Sequence, residues 1–206
     1  MSATPATLIA HDLKNALAAL EDELAMLADQ PDAKLARQAH ERCSMLRREL
    51  VQFLMVYGSE GTLRARSEDE SPQQLLETVK QLALERYQRA DKQVRIALSA
   101  PPDDAAYWYL DARLVKLALD AAIHNAFRFA TSEITLSVQR RESYLVLCVE
   151  DDGPGLGTAD AHPSSTGLGT DLCRQVAQAH VSGERVGRIK LTSGARGGAR
   201  FELWLP

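Results

Sequence analysis

Four short stretches of this sequence combine residue types that could carry chemistry. The first is His11-Asp12-Leu13-Lys14-Asn15, in which the histidine and the asparagine stand four residues apart. On a helix that spacing puts them one turn apart on the same face. An exposed imidazole is a nucleophile, and a neighbouring carboxylate can take its proton and leave a ring nitrogen free to attack a phosphoryl group. The plainer reading of these residues is a solvated helix face that is merely polar. The second stretch is Asn125-Ala126-Phe127-Arg128, an amide and a cation late in a helix that by themselves signal nothing. The third is Val149-Glu150-Asp151-Asp152-Gly153-Pro154-Gly155-Leu156-Gly157, acids and glycines directly after a predicted strand, which as pure structure is a tight turn between two strands. The fourth is Thr166-Gly167-Leu168-Gly169-Thr170-Asp171-Leu172 at the start of a predicted helix, where free backbone amides suit phosphate or where Thr and Asp simply cap the helix. A nicotinamide-binding GxGxxG fingerprint is excluded because Thr158 stands where it needs glycine, and no Walker P-loop is present.

The elements that must position these residues follow from the periodicity. From Ala6 to about Gln30 the large apolar residues Leu13, Leu17, Leu20, Leu24 and Leu27 alternate steps of four and three, the seam of a bundle helix. His11 lies about 200° around that helix from Leu13, away from the seam and in solvent. Pro31 and Asp32 break the pattern, and a second helix carries Leu35, Ala39, Cys43, Leu46, Leu50, Phe53 and Tyr57 at the same steps. Two such helices leave much of the apolar stripe uncovered, so two copies are expected to pair as a four-helix bundle. Gly58 to Ser71 lacks periodicity and reads as a linker. Beyond it, Ser71 and Pro72 start a helix running to about Ala90, and Val94 to Leu98 reads as a short strand. Asp111 caps a helix reaching Phe129, and strands follow at Ile134 to Val138 and Tyr144 to Val149. After the glycine-rich loop come a helix from Thr170 to Ala179 and strands at Ile189 to Leu191 and Phe201 to Leu205. That order predicts a mixed sheet with helices on one face.

Taken in order, the four stretches resemble the motifs of two-component histidine kinases and histidine phosphotransferases, and the resemblance covers almost the whole chain. It implies an α + α/β architecture: a dimerisation and phosphotransfer hairpin over residues 1–58, a linker over 59–70, and a two-layer ATP-binding domain of the histidine kinase, gyrase and heat-shock 90 type over 71–206. It further implies that His11 is the phosphorylated residue, Asp12 its base, and Asn15 the group that positions water for dephosphorylating a partner. Asn125 would bind Mg²⁺ through its amide oxygen, and Arg128 would reach the phosphates of ATP. Asp151 would accept from the adenine amino group in a pocket shaped by Gly153, Pro154 and Gly155. Thr166, Gly167 and Gly169 would admit the triphosphate, and Gly197-Gly198-Ala199-Arg200-Phe201 resembles the family's closing turn and terminal strand. The sequence departs from the pattern at Ala16, Ala121 and Ser165, and its loop between Gly157 and Ser165 is short and has no Phe. His40 and His124 read as helix-packing or surface residues, and His162 and His180 flank the fourth stretch without ligand spacing.

The implied activity is autophosphorylation of His11 from ATP with Mg²⁺, then transfer to an aspartate of a response-regulator receiver, with receiver phosphatase activity as an accompaniment. The competing reading is a relay or docking module that passes phosphate through His11 without using ATP. Bulk properties fit either. The chain has 206 residues and a formal charge of −4, which argues against nucleic acid as the main ligand. No stretch reaches the roughly 18 apolar residues of a membrane span and no signal peptide is visible, so a cytoplasmic protein is expected. Cys43, Cys148 and Cys173 are too scattered for a disulfide framework or zinc site. No sensor segment precedes His11, so the signal is expected from a separate protein or from a receiver that docks on the hairpin.

Overall fold

The computed structural model describes residues 5–58, 63–88, 92–99, 106–157 and 167–206. The chain divides into two units, Met1–Gly61 with Thr166–Leu168, and Thr62–Ser165 with Gly169–Pro206. In the first unit α1 (Pro5–Asp29) and α2 (Ala33–Tyr57) form a hairpin. Asp32 is extended at φ −131° and accepts from the Leu35 amide at 2.7 Å, so it serves as the N-cap of α2.

Leu20, Ala39 and Leu46 form the hairpin core, with Leu13, Ala16 and Leu27 packed against it. Leu17 and Leu24, expected in the same seam, remain 52% and 53% exposed. At about 100° per residue, Leu20, Leu27 and Ala16 fall on one side of Leu13 and Leu17 and Leu24 on the other. A single neighbouring helix covers only one flank of so wide a stripe. Leu50, Val51 and Leu54 of α2 are exposed as well.

The second unit contains β1 (Glu68–Glu70), α3 (Pro72–Tyr87), β2 (Arg95–Leu98), β3 (Trp108–Leu110), α4 (Ala112–Phe129), β4 (Glu133–Arg141), β5 (Tyr144–Asp151), α5 (Leu168–Ala179), β6 (Val181–Ser182), β7 (Arg185–Val186), β8 (Arg188–Ser193) and β9 (Ala199–Leu205). Five strands make one sheet in the order β2-β4-β5-β9-β8, with β2 and β4 parallel and the other pairs antiparallel. The alternation of β4 explains the layering. Ile134, Leu136 and Val138 are buried and lie in register with Asp151, Val149 and Leu147, whereas Thr135, Ser137 and Gln139 face the other side and are only partly covered. Helices α3 and α4 pack on the sheet, and α5 joins them through the Cys173 thiol, which contacts the Ala118 carbonyl at 3.3 Å.

Residues 68–70 belong to the stretch that the sequence places in the linker, yet they form β1, antiparallel to β3. Three consecutive acids give no strand signal of their own, and the pairing is supplied by the aromatic strand Trp108–Leu110 opposite. Just upstream, the Arg66 amide donates to Asp111 Oδ2 at 2.8 Å.

Candidate functional site

On α1 the side chains of His11 and Asp12 are each 67% exposed. The Asn15 amide Nδ2 lies 3.1 Å from His11 Nδ1, which makes Nδ1 the acceptor and puts the ring proton on Nε2. Asp12 Oδ1 stands 3.8 Å from the same nitrogen, beyond hydrogen-bonding distance. The hairpin therefore holds the imidazole through Asn15, with Asp12 beside it but not bonded to it.

In the second unit β5 ends at Asp151, which is only 4% exposed. Its Oδ1 accepts from the amides of Gly153 at 2.9 Å and Ala199 at 3.3 Å. Among the described residues both hydrogen bonds fall on Oδ1, which leaves Oδ2 as the acceptor for an incoming amino group. The glycines around it are required sterically. A Cβ on Gly153 would run into the Phe129 carbonyl at the end of α4, and one on Gly198 would strike the backbone carbonyl of Asp151. Gly155 adopts φ +89°, a region costly for any other residue, and sits against the Gly197 carbonyl. The loop after β5, the end of α4 and the turn between β8 and β9 thus meet at Asp151.

Helix α4 begins at Asp111, which accepts from the Leu114 amide at 3.1 Å. Near its other end Asn125 is exposed and Arg128 half-buried, one turn apart on one face, with the Arg128 guanidinium 5.5 Å from the Phe129 ring centroid. Gly167, at φ +71°, directly precedes α5, and Gly169 lies in its first turn. Thr166 and Ser165 lie outside the described residues.

Several residues that shape this region carry no motif. The Glu150 carboxylate accepts from the Ala195 amide at 2.9 Å and pairs with Arg200 at 2.8 Å. Glu133, at the start of β4, binds Arg196 of the β8–β9 turn. Lys92 donates to the Phe127 and Arg128 carbonyls at 3.0 and 3.2 Å, capping α4. Asp152 accepts from the amides of Thr131, Ser132 and Glu133 and from the Ser132 hydroxyl. Desolvation works to raise its pKa, but the Ser132 hydroxyl and these amides outweigh it and hold the carboxyl well below the usual range. The run of three acids was the available signal.

His180 also acquires a role that spacing did not indicate. It is 3% exposed, with Nδ1 2.8 Å from the Val176 carbonyl and Nε2 accepting from the Asp111 amide at 3.0 Å. It is thus a neutral imidazole joining the end of α5 to the start of α4, and burial pushes its pKa down.

The donor set suits a purine nucleotide with a divalent cation: one buried carboxylate oxygen open to an amino group, glycines that let a flat ring approach, and an exposed amide oxygen with a cation a turn away. Comparison with known proteins agrees. Residues 110–206 match the family described as histidine kinase-, DNA gyrase B- and HSP90-like ATPase. The sensor protein RstB of Escherichia coli is 27% identical over 214 residues, which covers 96% of this chain and 47% of that protein. The sensor protein kinase CarS of Pseudomonas aeruginosa is 32% identical over 125 residues, 55% of this chain and 26% of that protein. The chain thus spans less than half the length of these relatives. The histidine kinase AdeS of Acinetobacter baumannii superposes with a TM-score of 0.68 at 22% identity, covering 95% of this chain and 96% of that one. Residues 110–206 thus carry an ATPase domain of the histidine kinase-, DNA gyrase B- and HSP90-like family, and with the helical hairpin ahead of it the chain is similar to two-component histidine kinases over nearly its whole length.

Proposed function

We propose that this chain is a protein histidine kinase that phosphorylates its own His11 from ATP and passes the phosphate to an aspartate of a response-regulator receiver. The observation that supports the reading is Asp151, buried at the end of β5 with both of its loop-amide bonds on Oδ1, so that Oδ2 would accept from the adenine amino group. Asn125 would hold Mg²⁺, Arg128 would reach the phosphates, and the amides at Thr166, Gly167 and Gly169 would receive the triphosphate tail. Residues 1–58 serve as the dimerisation and phosphotransfer hairpin, 59–67 as the connection, and 68–206 as the nucleotide domain, since β1 pairs with β3. ATP supplies the γ-phosphoryl group when bound.

The chain's own part is to free an imidazole nitrogen. In the tautomer shown, Nε2 carries the proton and Nδ1 is held by Asn15. Transfer to Nε2 uses the other tautomer, with Nδ1–H turned to Asp12, which needs only a side-chain rotation to close from 3.8 Å. A bond from Nε2 to phosphorus forms, the bond from phosphorus to the departing ADP oxygen breaks, and the ring proton passes to Asp12. Asn15, one turn further along, would position water for dephosphorylating a receiver.

Incubation with γ-labelled ATP and Mg²⁺ tests this. Label that is acid-labile and base-stable, as a phosphoramidate is, and that disappears in His11→Gln while nucleotide binding persists, is the expected result. Label retained in His11→Gln would sink the assignment of His11, and absence of label in the wild type would sink the kinase reading.

A further inference from the structure

Glu150, Asp151 and Asp152 follow one another, yet each is fastened to a different segment. Glu150 goes to the β8–β9 turn through Ala195, and Asp151 to its own loop and Ala199. Asp152 goes to the chain leaving α4. Its Oδ1 accepts from the amides of Thr131 at 2.8 Å, Ser132 at 3.0 Å and Glu133 at 3.0 Å, and its Oδ2 from the Ser132 hydroxyl at 2.5 Å. Its own amide returns the bond to the Glu133 carbonyl at 3.2 Å. The adjacent Gly153 lies so close to the Phe129 carbonyl that no side chain fits between them. On the far side the same segment is tied to β2, where the Arg95 amide donates to the Ser132 carbonyl at 2.8 Å. Lys92 holds the last carbonyls of α4.

We propose that Asp152 is a positioning residue that clamps the exit of α4 to the loop carrying Asp151, and so fixes the helix bearing Asn125 and Arg128 relative to the adenine acceptor. The proposal rests on the nucleotide reading of this site and adds a residue to which that reading gives no task. Asp151 has its own two amide bonds, so loss of Asp152 leaves the adenine acceptor in place. What it removes is the register between that acceptor and the last turn of α4. A binding site tolerates displacements of only about half an ångström before its contacts weaken. The affected contacts are those to the metal and phosphates, not those to the base. The amides gathered on Asp152 keep it ionised through the physiological range, so the clamp is permanent rather than pH-switched.

The test compares ADP without metal and ATP with Mg²⁺ by calorimetry on the full chain. In Asp152→Ala the affinity for metal-free ADP stays near wild type, and the extra affinity gained from the γ-phosphate and Mg²⁺ falls about tenfold, the scale of one lost charge-assisted contact. Asp152→Asn restores it, because an amide oxygen still accepts from the three backbone donors. Ser132→Ala, which removes one bond and keeps the fold, moves the same ratio by less. Equal losses for both ligands, or none for either, would show Asp152 to be a structural prop or idle and overturn the proposal. Hydrogen exchange on the nucleotide-free chain decides independently of ligand. Asp152→Ala accelerates exchange at Thr131, Ser132 and Glu133 and onward through Ala126 to Ala130, whereas acceleration that stops at Thr131 refutes coupling to the helix. A wild-type chain that binds no nucleotide would defeat the nucleotide reading alone, since the exchange pattern still reports on the clamp.

Discussion

Asp151 can be separated from its neighbours experimentally because its loop amides bond to Oδ1 alone, and the nucleotide reading assigns Oδ2 to the adenine amino group. In Asp151→Asn the amide oxygen can keep the Gly153 and Ala199 amides, and the nitrogen takes the place of Oδ2. A donor then faces the donor of the adenine amino group. Nucleotide affinity is expected to fall by roughly 1.5–3 kcal/mol, about 10- to 100-fold, with the melting temperature little changed. Calorimetry with ADP measures this, and unchanged affinity would remove Asp151 from the adenine site. The turn after β5 was legible in the sequence because its glycines stand at fixed offsets, and the part assigned to Asp151 came from the resemblance. Asp152 was not legible as a clamp. Its partners Thr131, Ser132 and Glu133 are about 20 positions away, offer only backbone amides, and have no residue type that announces the contact. Asn15 lay between these cases: the four-residue spacing to His11 was readable, but not that it takes Nδ1 ahead of Asp12.

Helices α3 and α4 were found in the sequence through their caps, Ser71 with Pro72 and Asp111, since a cap satisfies backbone donors locally and leaves a local mark. Strand β1 was lost because its pairing with β3 is a tertiary event. His180 is similar: the contact from the end of α5 to the start of α4 spans 69 positions. It has a consequence for pH. Burial lowers the His180 pKa in the folded state, so the unfolded chain binds the proton more readily. Stability from this group is complete above about 6.5, its ordinary value, and is lost as pH falls from there towards the depressed folded value. Urea unfolding is expected to show a loss of stability between pH 7.5 and 5.5. His180→Gln, an amide that can both donate and accept and has no titrating proton, should flatten the slope over that interval. An unchanged slope would assign it to other groups.

For the whole molecule the informative residues are those that a single hairpin leaves uncovered. The repeat of leucines in α1 predicted a bundle seam, and within one chain Leu20 is buried at 5% exposure with Leu13 and Leu27 partly covered beside it. Leu17 and Leu24, with Leu50, Val51 and Leu54 of α2, stay in contact with solvent, an apolar surface that water disfavours and that a second hairpin would bury. The sequence carried the period but not the division of the stripe between an internal partner and an external one, because that division depends on where α2 settles. The split makes the dimer testable without damaging the fold. Leu17→Glu puts a carboxylate on a position that is open in one chain, so circular dichroism should report unchanged helix content. In a dimer the same carboxylate would be unpaired in an apolar seam, at a cost of several kcal/mol if fully buried, enough to shift a micromolar dimer to monomer. Leu20→Glu, by contrast, should unfold the hairpin itself, since Leu20 packs on Ala39 and Leu46 within one chain. Sedimentation equilibrium of wild type and both variants separates the cases. Monomeric wild type at micromolar concentration, or a Leu17→Glu chain that remains dimeric, would mean that the exposed flank is not where two copies meet.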